Sequence, residues 1–300
     1  MRKSILVLGG SGRFGRHTAE AFAAAGWQVT KYDRKTGDLN RQATDVDVIL
    51  NGWNPIYTDW AREVPALTKR VIRAAKSSGA TVILPGNVYV FGHDAPQNFN
   101  DTTSHMAQNQ MGRIRIEMEA AYRKSGVRTI ILRAGDFLDT TASGNSFDMV
   151  LLRRIAKGIV DYPGPLNTPH AWAFLPDLAR ACVQLAEMRH SLSSFEDISF
   201  PGYTLTGAEL HAAISAALDQ KLTLKQMSWL PIRLISPFWP LGRRLVEMSY
   251  LWAKPHHLDG AKFVRLLPEF RATSLNAAIA QAVSFHVNPD QPVMRADVAV

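Results

Sequence analysis

The chain has one cysteine, Cys182, which excludes an internal disulfide framework. Cys182 lies in the apolar run 178–183, and this favours a buried core thiol over a nucleophile. The longest strongly apolar region, 229–252, is interrupted by three prolines and three arginines, so no membrane span is predicted. No signal peptide is visible before the first apolar run, and we expect a cytoplasmic protein.

Long basic runs are also missing, although the formal net charge is +8. The excess lies in residues 1–160, whereas residues 161–300 are balanced. Without zinc-finger spacing or an RNA-binding motif, this charge does not predict a nucleic-acid partner. A positive field that attracts an anionic cofactor is the interpretation we favour.

The most informative segment that is present is residues 4–15, SILVLGGSGRFG. A short aliphatic run stops at Gly9, and Gly9, Gly12 and Gly15 recur at a spacing of three before a helix-compatible segment. Such a strand, turn and helix N-terminus together bind the pyrophosphate of a dinucleotide. The predicted cofactor-binding residues of this turn are Gly9, Gly10, Gly12, Arg13, Phe14 and Gly15.

The second predicted strand, 27–32, is followed by an acidic residue and a basic one. Asp33 is placed to bond the ribose hydroxyls and favours NAD, while Arg34 would attract the 2′-phosphate of NADP. A solvated loop aspartate is the alternative. We predict NAD as the cofactor and leave NADP open.

Strand and helix patterns alternate along the chain. This predicts an α/β fold, a Rossmann-type doubly wound parallel sheet with a smaller C-terminal α+β substrate lobe. We place the dinucleotide-binding domain at 1–160, with strands contributed from about 161–200, and the substrate lobe at 201–300. Thr206 and Glu209 predict a capping box, and Thr273 is predicted to cap the last helix.

Several segments together resemble the extended short-chain dehydrogenases/reductases, the NAD-dependent epimerase/dehydratase group, which acts mainly on nucleotide sugars. The glycine turn at 9–15 matches the group's GxxGxxG motif, and 131–137 and 173–180 are similar to later segments of the group. The resemblance implies that Asp38 and Leu39 contact adenine. It also implies that Asn51, Gly52 and Trp53 lie beside the cofactor.

The group's catalytic residues are the main departure. Its chemistry uses a Ser or Thr after the fifth strand and a Tyr-x-x-x-Lys pair on the next helix. Alignment on Phe91-Gly92 and Glu119 puts Asn87 at the Ser/Thr position, Met111 at the Tyr position and Arg115 at the Lys position. Methionine has no transferable proton, so the usual acid–base pair is missing.

The candidate catalytic residues are therefore Asn87, Tyr89, Arg115 and Asp136. Three of the four have an alternative interpretation: Tyr89 as a packed aromatic, Asp136 as a substrate or loop anchor, and Arg115 as a surface pair with Glu119. No metal site is predicted, because His256-His257 has no carboxylate at ligand spacing and is expected to form a surface turn.

Residues 229–252 are expected to form a lid or roof over a substrate pocket, with a membrane-surface contact as the less favoured interpretation. Two hypotheses on function remain. One is an NAD(P)-dependent oxidoreductase or epimerase that acts on a small molecule, such as a nucleotide sugar, through an atypical active site. The other is a catalytically silent NAD(P)-binding sensor. The sequence leaves a homodimer open.

Overall fold

The computed structural model describes residues 3–33 and 37–287. Arg34, a predicted cofactor-binding residue, lies outside the described residues. The elements of the first half are β1 Ser4–Leu8, α1 Arg13–Ala24, β2 Gln28–Lys31, α2 Leu39–Gln42, β3 Val48–Asn51, α3 Trp60–Ser78, β4 Thr81–Gly86, β5 Asn98–Phe99, α4 Gln110–Ser125, β6 Thr129–Arg133 and β7 Asp136–Leu138.

The second half begins with short turns and continues with more irregular elements. They are β8 Ile159–Tyr162, β9 His170–Phe174, α5 Leu175–Glu187, β10 Phe195–Ser199, β11 Tyr203–Leu205, α6 Gly207–Leu218, β12 Thr223–Gln226, α7 Leu230–Ile235, α8 Pro240–Met248, α9 Tyr250–Ala253, β13 His257–Leu258, α10 Ala261–Leu266 and α11 Leu275–Val287. No helix in the described ranges has the length and apolar character needed to cross a bilayer.

Six parallel strands form the central sheet, in the order β10-β6-β4-β3-β1-β2. Successive strand residues point to opposite faces, so Leu6 and Leu8 pack in one core with α3 and α4. Ile5 and Val7 pack in another core with α1 and α5. Both faces are covered, as a parallel sheet requires, and the predicted fold class is confirmed.

A third core gathers residues of β8, β9, α6 and α11 into a smaller unit. A three-stranded sheet, β11-β9-β7, joins this unit to the main body, because β7 follows directly after β6. The strand β10 pairs with β6 in the main sheet. The lobe boundaries that we place at 160 and 201 stay predictions.

The two predicted caps have different outcomes. Thr206 and Glu209 form the expected capping box, with the Glu209 amide donating to Thr206 Oγ1 at 3.1 Å. The prediction for Thr273 is wrong. The Thr273 hydroxyl donates instead to the buried carboxylate of Asp177, and Ser274 accepts from the Ala277 amide at the start of α11.

Candidate functional site

The glycine turn joins β1 to α1, and each glycine is required for a different reason. Gly9 has φ +74°, and a Cβ there would lie 2.7 Å from the carbonyl oxygen of Gly52. A Cβ on Gly15 would overlap the Gly9 carbonyl. Gly12 is exposed, and the nearest atom to a Cβ there is the Gly9 oxygen at 3.2 Å. Backbone packing therefore fixes Gly9 and Gly15, whereas Gly12 leaves space open in front of the helix N-terminus.

A loop from β7 crosses to this helix N-terminus. Arg13 donates from Nη2 to the Ser143 carbonyl at 2.9 Å, and Arg16 donates to Asp139 at 3.0 Å. His17 Nε2 lies 2.7 Å from the same carboxylate. Burial alone would raise the pKa of Asp139, but the hydrogen bond and charge of His17 outweigh it and hold that pKa low. Asp139 is thus a buried anion that ties the loop to α1.

Residues that follow β2 and β3 form a groove together with residues of α3. Tyr32 and Trp53 meet edge to face with centroids 5.5 Å apart, and the Arg70 guanidinium lies 5.4 Å from the Trp53 ring centre. Arg70 also donates to Tyr32 Oη at 3.3 Å. These side chains line one groove of the surface together with Arg62, Glu63, Ala66 and Leu67.

The other residues that the sequence predicts beside the adenosine are not among those that line this groove. Asp33 is exposed just after β2, and Asp38 caps α2 by accepting from the Asn40 amide at 2.9 Å. Leu39 is buried in the core beneath. Asn51 is buried and donates to Tyr122 Oη at 3.0 Å, which turns its amide towards α4. The cofactor roles of these residues stay predictions.

The helix α4 presents Met111 and Arg115 to the interior. Met111 is fully buried, and its amide donates to Glu247 Oε1 of α8 at 2.7 Å. Arg115 is 8% exposed and donates from Nη2 to the Pro85 carbonyl, at the end of β4, at 2.6 Å. Arg115 therefore faces the strand ends rather than solvent, as the alignment with the group's Lys position requires.

The alternative of a surface pair between Arg115 and Glu119 is wrong. Glu119 is 3% exposed and accepts from Arg133 Nη2 at 2.8 Å, while Arg133 also donates to Asp197 at 3.1 Å and to the Asn87 carbonyl at 2.6 Å. Burial alone would raise the pKa of Glu119, but the charge of Arg133 outweighs it and lowers that pKa. This ion cluster fixes the backbone of Asn87.

Carboxylates of the same cluster and His105 are the group most like a metal site among the described residues. The guanidinium of Arg133 bonds both carboxylates, so it already supplies the positive charge that a cation would bring. A second cation in contact with Arg133 would be repelled. The arrangement is explained as a buried ion cluster.

Tyr89 forms a hydrogen-bonded pair with Tyr57, which the sequence did not predict. Its hydroxyl lies 2.6 Å from that of Tyr57, which follows β3. Burial, followed by the neighbouring Tyr57 and the charge of Asp136, raises the pKa of Tyr89 well above its ordinary value. Burial also raises the pKa of Tyr57. Both phenols are therefore neutral donors near pH 7, unlike the group's tyrosine, whose pKa is lowered.

Asp136 is paired with a second unpredicted residue, His170, at the start of β9. His170 Nε2 lies 2.7 Å from Asp136 Oδ2, and its ring stacks on Trp252 with centroids 4.5 Å apart. The Asp136 side chain is 36% exposed, whereas that of His170 is 3% exposed. Asp136 thus faces the open side of the site and His170 supports it from behind.

The expected surface turn at His256-His257 is wrong for the first histidine. His256 is 1% exposed and its ring centroid lies 4.5 Å from that of His170, whereas His257 is exposed. Burial and then the charge of His170 lower the pKa of His256 to about 3, so it is neutral. The rings of Phe99 and His170, both distant in the sequence, pack on the ring of His256, and the periodicity of the sequence did not reveal these contacts.

The predicted lid, 229–252, divides into two parts. Its second part packs on the site, since Glu247 reaches Met111 and Trp252 stacks on His170. Its first part, 230–241, is largely exposed.

Cys182 is fully buried, and burial raises the pKa of its thiol, in accord with a core residue.

No protein-family model matches the chain, and no curated protein matches its sequence. Solved structures match over nearly its whole length. An NAD-dependent NDP-hexosamine 5,6-dehydratase of tunicamycin biosynthesis, TunA, is 14% identical with a TM-score of 0.74, covering 95% of this chain and 98% of that one. A nucleoside-diphosphate-sugar epimerase from Pseudomonas aeruginosa is 17% identical with a TM-score of 0.74, covering 96% and 99%.

A human epimerase family protein, solved with NADPH, is 17% identical with a TM-score of 0.73, covering 94% of this chain and 99% of its own. This chain has the fold of the nucleotide-sugar epimerases and dehydratases. The predicted resemblance is confirmed at the level of the fold. Identities of this size leave the reaction and the site residues to be argued from the chain itself.

Proposed function

We propose that this protein binds NAD(H) or NADP(H) and acts as an oxidoreductase or epimerase on a small hydroxyl or carbonyl compound, with nucleotide sugars the first class to test. The single observation that supports the proposal most is the glycine turn. Gly9 and Gly15 allow a backbone packing that no side chain would permit, and Gly12 leaves the helix N-terminus open to an anion. TunA, which is NAD-dependent by its description, and the NADPH-bound human protein share this fold.

The residues present fit a dinucleotide along the carboxyl edge of the sheet. The open turn at Gly12 would take the pyrophosphate, and the groove between Tyr32, Trp53 and Arg70 would take the adenine. Flat rings and a guanidinium stack well on a base. A bound nicotinamide would supply hydride transfer.

Proton movement would fall to this chain's own side chains. Tyr57 and Tyr89 are both neutral and share one hydrogen bond, so the hydroxyl that accepts in this bond would donate its own proton to a substrate oxygen, and neither would serve as a phenolate base. Asp136 is the partly exposed carboxylate beside them and would accept the hydroxyl proton. His170 would orient Asp136 through the 2.7 Å contact.

The missing Tyr/Lys pair supports a second candidate, a catalytically silent NAD(P)-binding sensor. Met111 cannot transfer a proton, and Arg115 is engaged with the Pro85 carbonyl. Both candidates require the same cofactor site, so only turnover separates them.

The test measures NAD(H) and NADP(H) binding by calorimetry and then screens turnover with alcohols, ketones and nucleotide sugars. The proposal expects micromolar binding and a turnover that Asp136→Asn lowers by about 100-fold, within the range of general acid–base catalysis. Tyr203→Phe is the matched control, since Tyr203 donates to the Thr273 carbonyl outside this group. Binding without turnover would favour the sensor, and no binding of either cofactor would overturn both.

A further inference from the structure

The described chain concentrates its exposed apolar side chains in one short segment. Six of its ten exposed large hydrophobic residues lie within 230–241. We call them the apolar patch: Leu230, Leu234, Ile235, Phe238, Trp239 and Leu241. Phe238 is 91% exposed and Leu234 is 69% exposed. Exposed apolar clusters of this kind mark interaction surfaces, since scattered single residues are the norm elsewhere.

The apolar patch lies on α7, on the residues that join it to α8 and on the first turn of α8, and contacts of α8 with the main body fix its position. Helix α7 has no buried residue, although five of its six side chains are apolar. It packs against α8, and α8 is anchored to the body by Glu247, which accepts the Met111 amide. Trp239 packs closely over Gly242, where a Cβ would overlap the indole ring. Apart from the exposed Arg233, the side chains of α7 are apolar and favour a nonpolar environment, which the protein itself supplies only in part.

The charges around the patch have one sign. No Asp or Glu occurs between Asp219 and Glu247, whereas this interval holds two lysines and three arginines. Arg233 and Arg243 are exposed within and beside the patch. Arg244 is paired with Glu247, so the exposed arginines are the ones available to a partner.

These charges distinguish a lipid surface from a second copy of the chain. In a two-fold symmetric dimer the patch meets the same patch of the other copy, so the positive charges of Arg233 and Arg243 from both copies would gather at one interface, with no acidic residue in the segment to neutralise them. An anionic bilayer supplies both requirements, hydrocarbon for the aromatic and leucine side chains and phosphates for the arginines.

We propose that the apolar patch docks on an anionic membrane surface. Phe238, Leu234 and Ile235 enter the boundary of the acyl chains, and Arg233 and Arg243 lie at the level of the lipid phosphates. The contact is peripheral, because α7 is six residues long and lies on the surface rather than crossing it. The inference is independent of cofactor binding.

The test is co-sedimentation of the full chain with vesicles made of equal parts phosphatidylglycerol and phosphatidylcholine, and with vesicles of phosphatidylcholine alone. We expect the protein to pellet with the anionic vesicles. The double variant Leu234→Glu/Phe238→Glu should lower the partition coefficient by at least about tenfold, because two inserted side chains become charged. Arg233→Gln/Arg243→Gln should remove the preference for phosphatidylglycerol and the sensitivity to salt.

Val264→Glu is the matched control, since Val264 is 58% exposed outside the patch, and it should bind as the parent does. Circular dichroism melting shows that each variant is folded. The proposal is overturned if the parent stays in the supernatant with anionic vesicles, or if Val264→Glu loses as much binding as the patch variant. A dimer in sedimentation velocity that the patch variant dissociates, without vesicle binding, would assign the patch to a second copy instead.

Discussion

The two ends of the predicted cofactor site depend on different features of the chain, backbone packing at one end and side-chain chemistry at the other. At the glycine turn the important contacts are between backbone atoms, and Gly9, Gly15 and Gly52 leave no room for side chains. At the opposite end, the alignment predicts that Met111 and Arg115 stand at the positions of the group's acid–base pair, and the structure places both side chains inside the protein. A binding turn depends on the absence of side chains, whereas catalysis depends on their chemistry. We therefore predict that this chain has the binding turn of the group and other residues in place of its acid–base pair.

The largest expected effect is on stability, and it tests whether the ion cluster of Arg133, Glu119 and Asp197 stabilises the α4 end of the predicted site. Arg133→Met should destabilise the fold by about 3–5 kcal/mol, because it leaves the buried Glu119 and Asp197 carboxylates without their partner. Urea unfolding at neutral pH measures the loss. Arg128→Met is the matched control, since Arg128 is half-buried and donates to three backbone carbonyls rather than to buried carboxylates.

The pH dependence of the same variant sharpens this test. The charge of Arg133 outweighs burial and holds the pKa of Glu119 below its ordinary 4.5. The ionised Glu119 therefore stabilises the folded state above pH 4.5, and this stabilisation is lost as the pH falls through the lower pKa that Glu119 has in the folded protein. The difference in the free energy of unfolding between the parent and Arg133→Met should become smaller below pH 4.5. If this difference does not change with pH, the unpaired carboxylates are not what destabilises the variant.

The second prediction separates the two functions of the glycines. Gly12→Val should reduce NAD(H) and NADP(H) affinity by at least about 100-fold, because its side chain would occupy the exposed position where the pyrophosphate approaches. Its Cβ would lie 3.2 Å from the Gly9 oxygen, so we expect a lower melting temperature, but a much smaller loss than in Gly15→Val. Gly15→Val should unfold the turn, since its Cβ overlaps the Gly9 carbonyl. Undiminished affinity of the Gly12 variant in calorimetry would remove the cofactor assignment.

The fold and the turn were open to prediction because they depend on periodicity and on glycine spacing. The interior position of Arg115 followed from the alignment on Glu119. The Tyr57–Tyr89 and Asp136–His170 pairs were not predicted, since 32 and 34 residues separate their members and only the tertiary fold joins them. One signal was present: Tyr57, Tyr89 and Asp136 all closely follow strands of the main sheet, where their carboxyl ends meet. His256 was misread because the contacts that bury it come from distant aromatic residues.

The third prediction concerns the introduction of the group's Tyr/Lys acid–base pair on α4. Met111→Tyr with Arg115→Lys recreates the residue types of the group's pair one helical turn apart. Met111 is fully buried, so the larger tyrosine should cost about 1–3 kcal/mol of stability through overpacking. If the alignment is correct, the folded double variant gains NAD(P)H-dependent turnover over Met111→Phe with Arg115→Lys, which has a similar volume and no hydroxyl. Equal turnover in the two variants would contradict the alignment.

The smallest expected effect lies at the adenosine end, where the sequence predicted NAD over NADP. Asp33 is exposed immediately after β2, and a carboxylate there would bond a ribose diol and repel a 2′-phosphate. Asp33→Ala should weaken NAD binding by about tenfold, which is about 1.4 kcal/mol, and should leave NADP binding unchanged or tighter. Asp38→Ala is a useful comparison, because the Asp38 side chain caps α2 rather than following the strand. Calorimetry with both cofactors on the parent and the two variants decides the matter. A parent protein that binds NADP at least tenfold more tightly than NAD would show that neighbouring basic residues, and not Asp33, determine the choice.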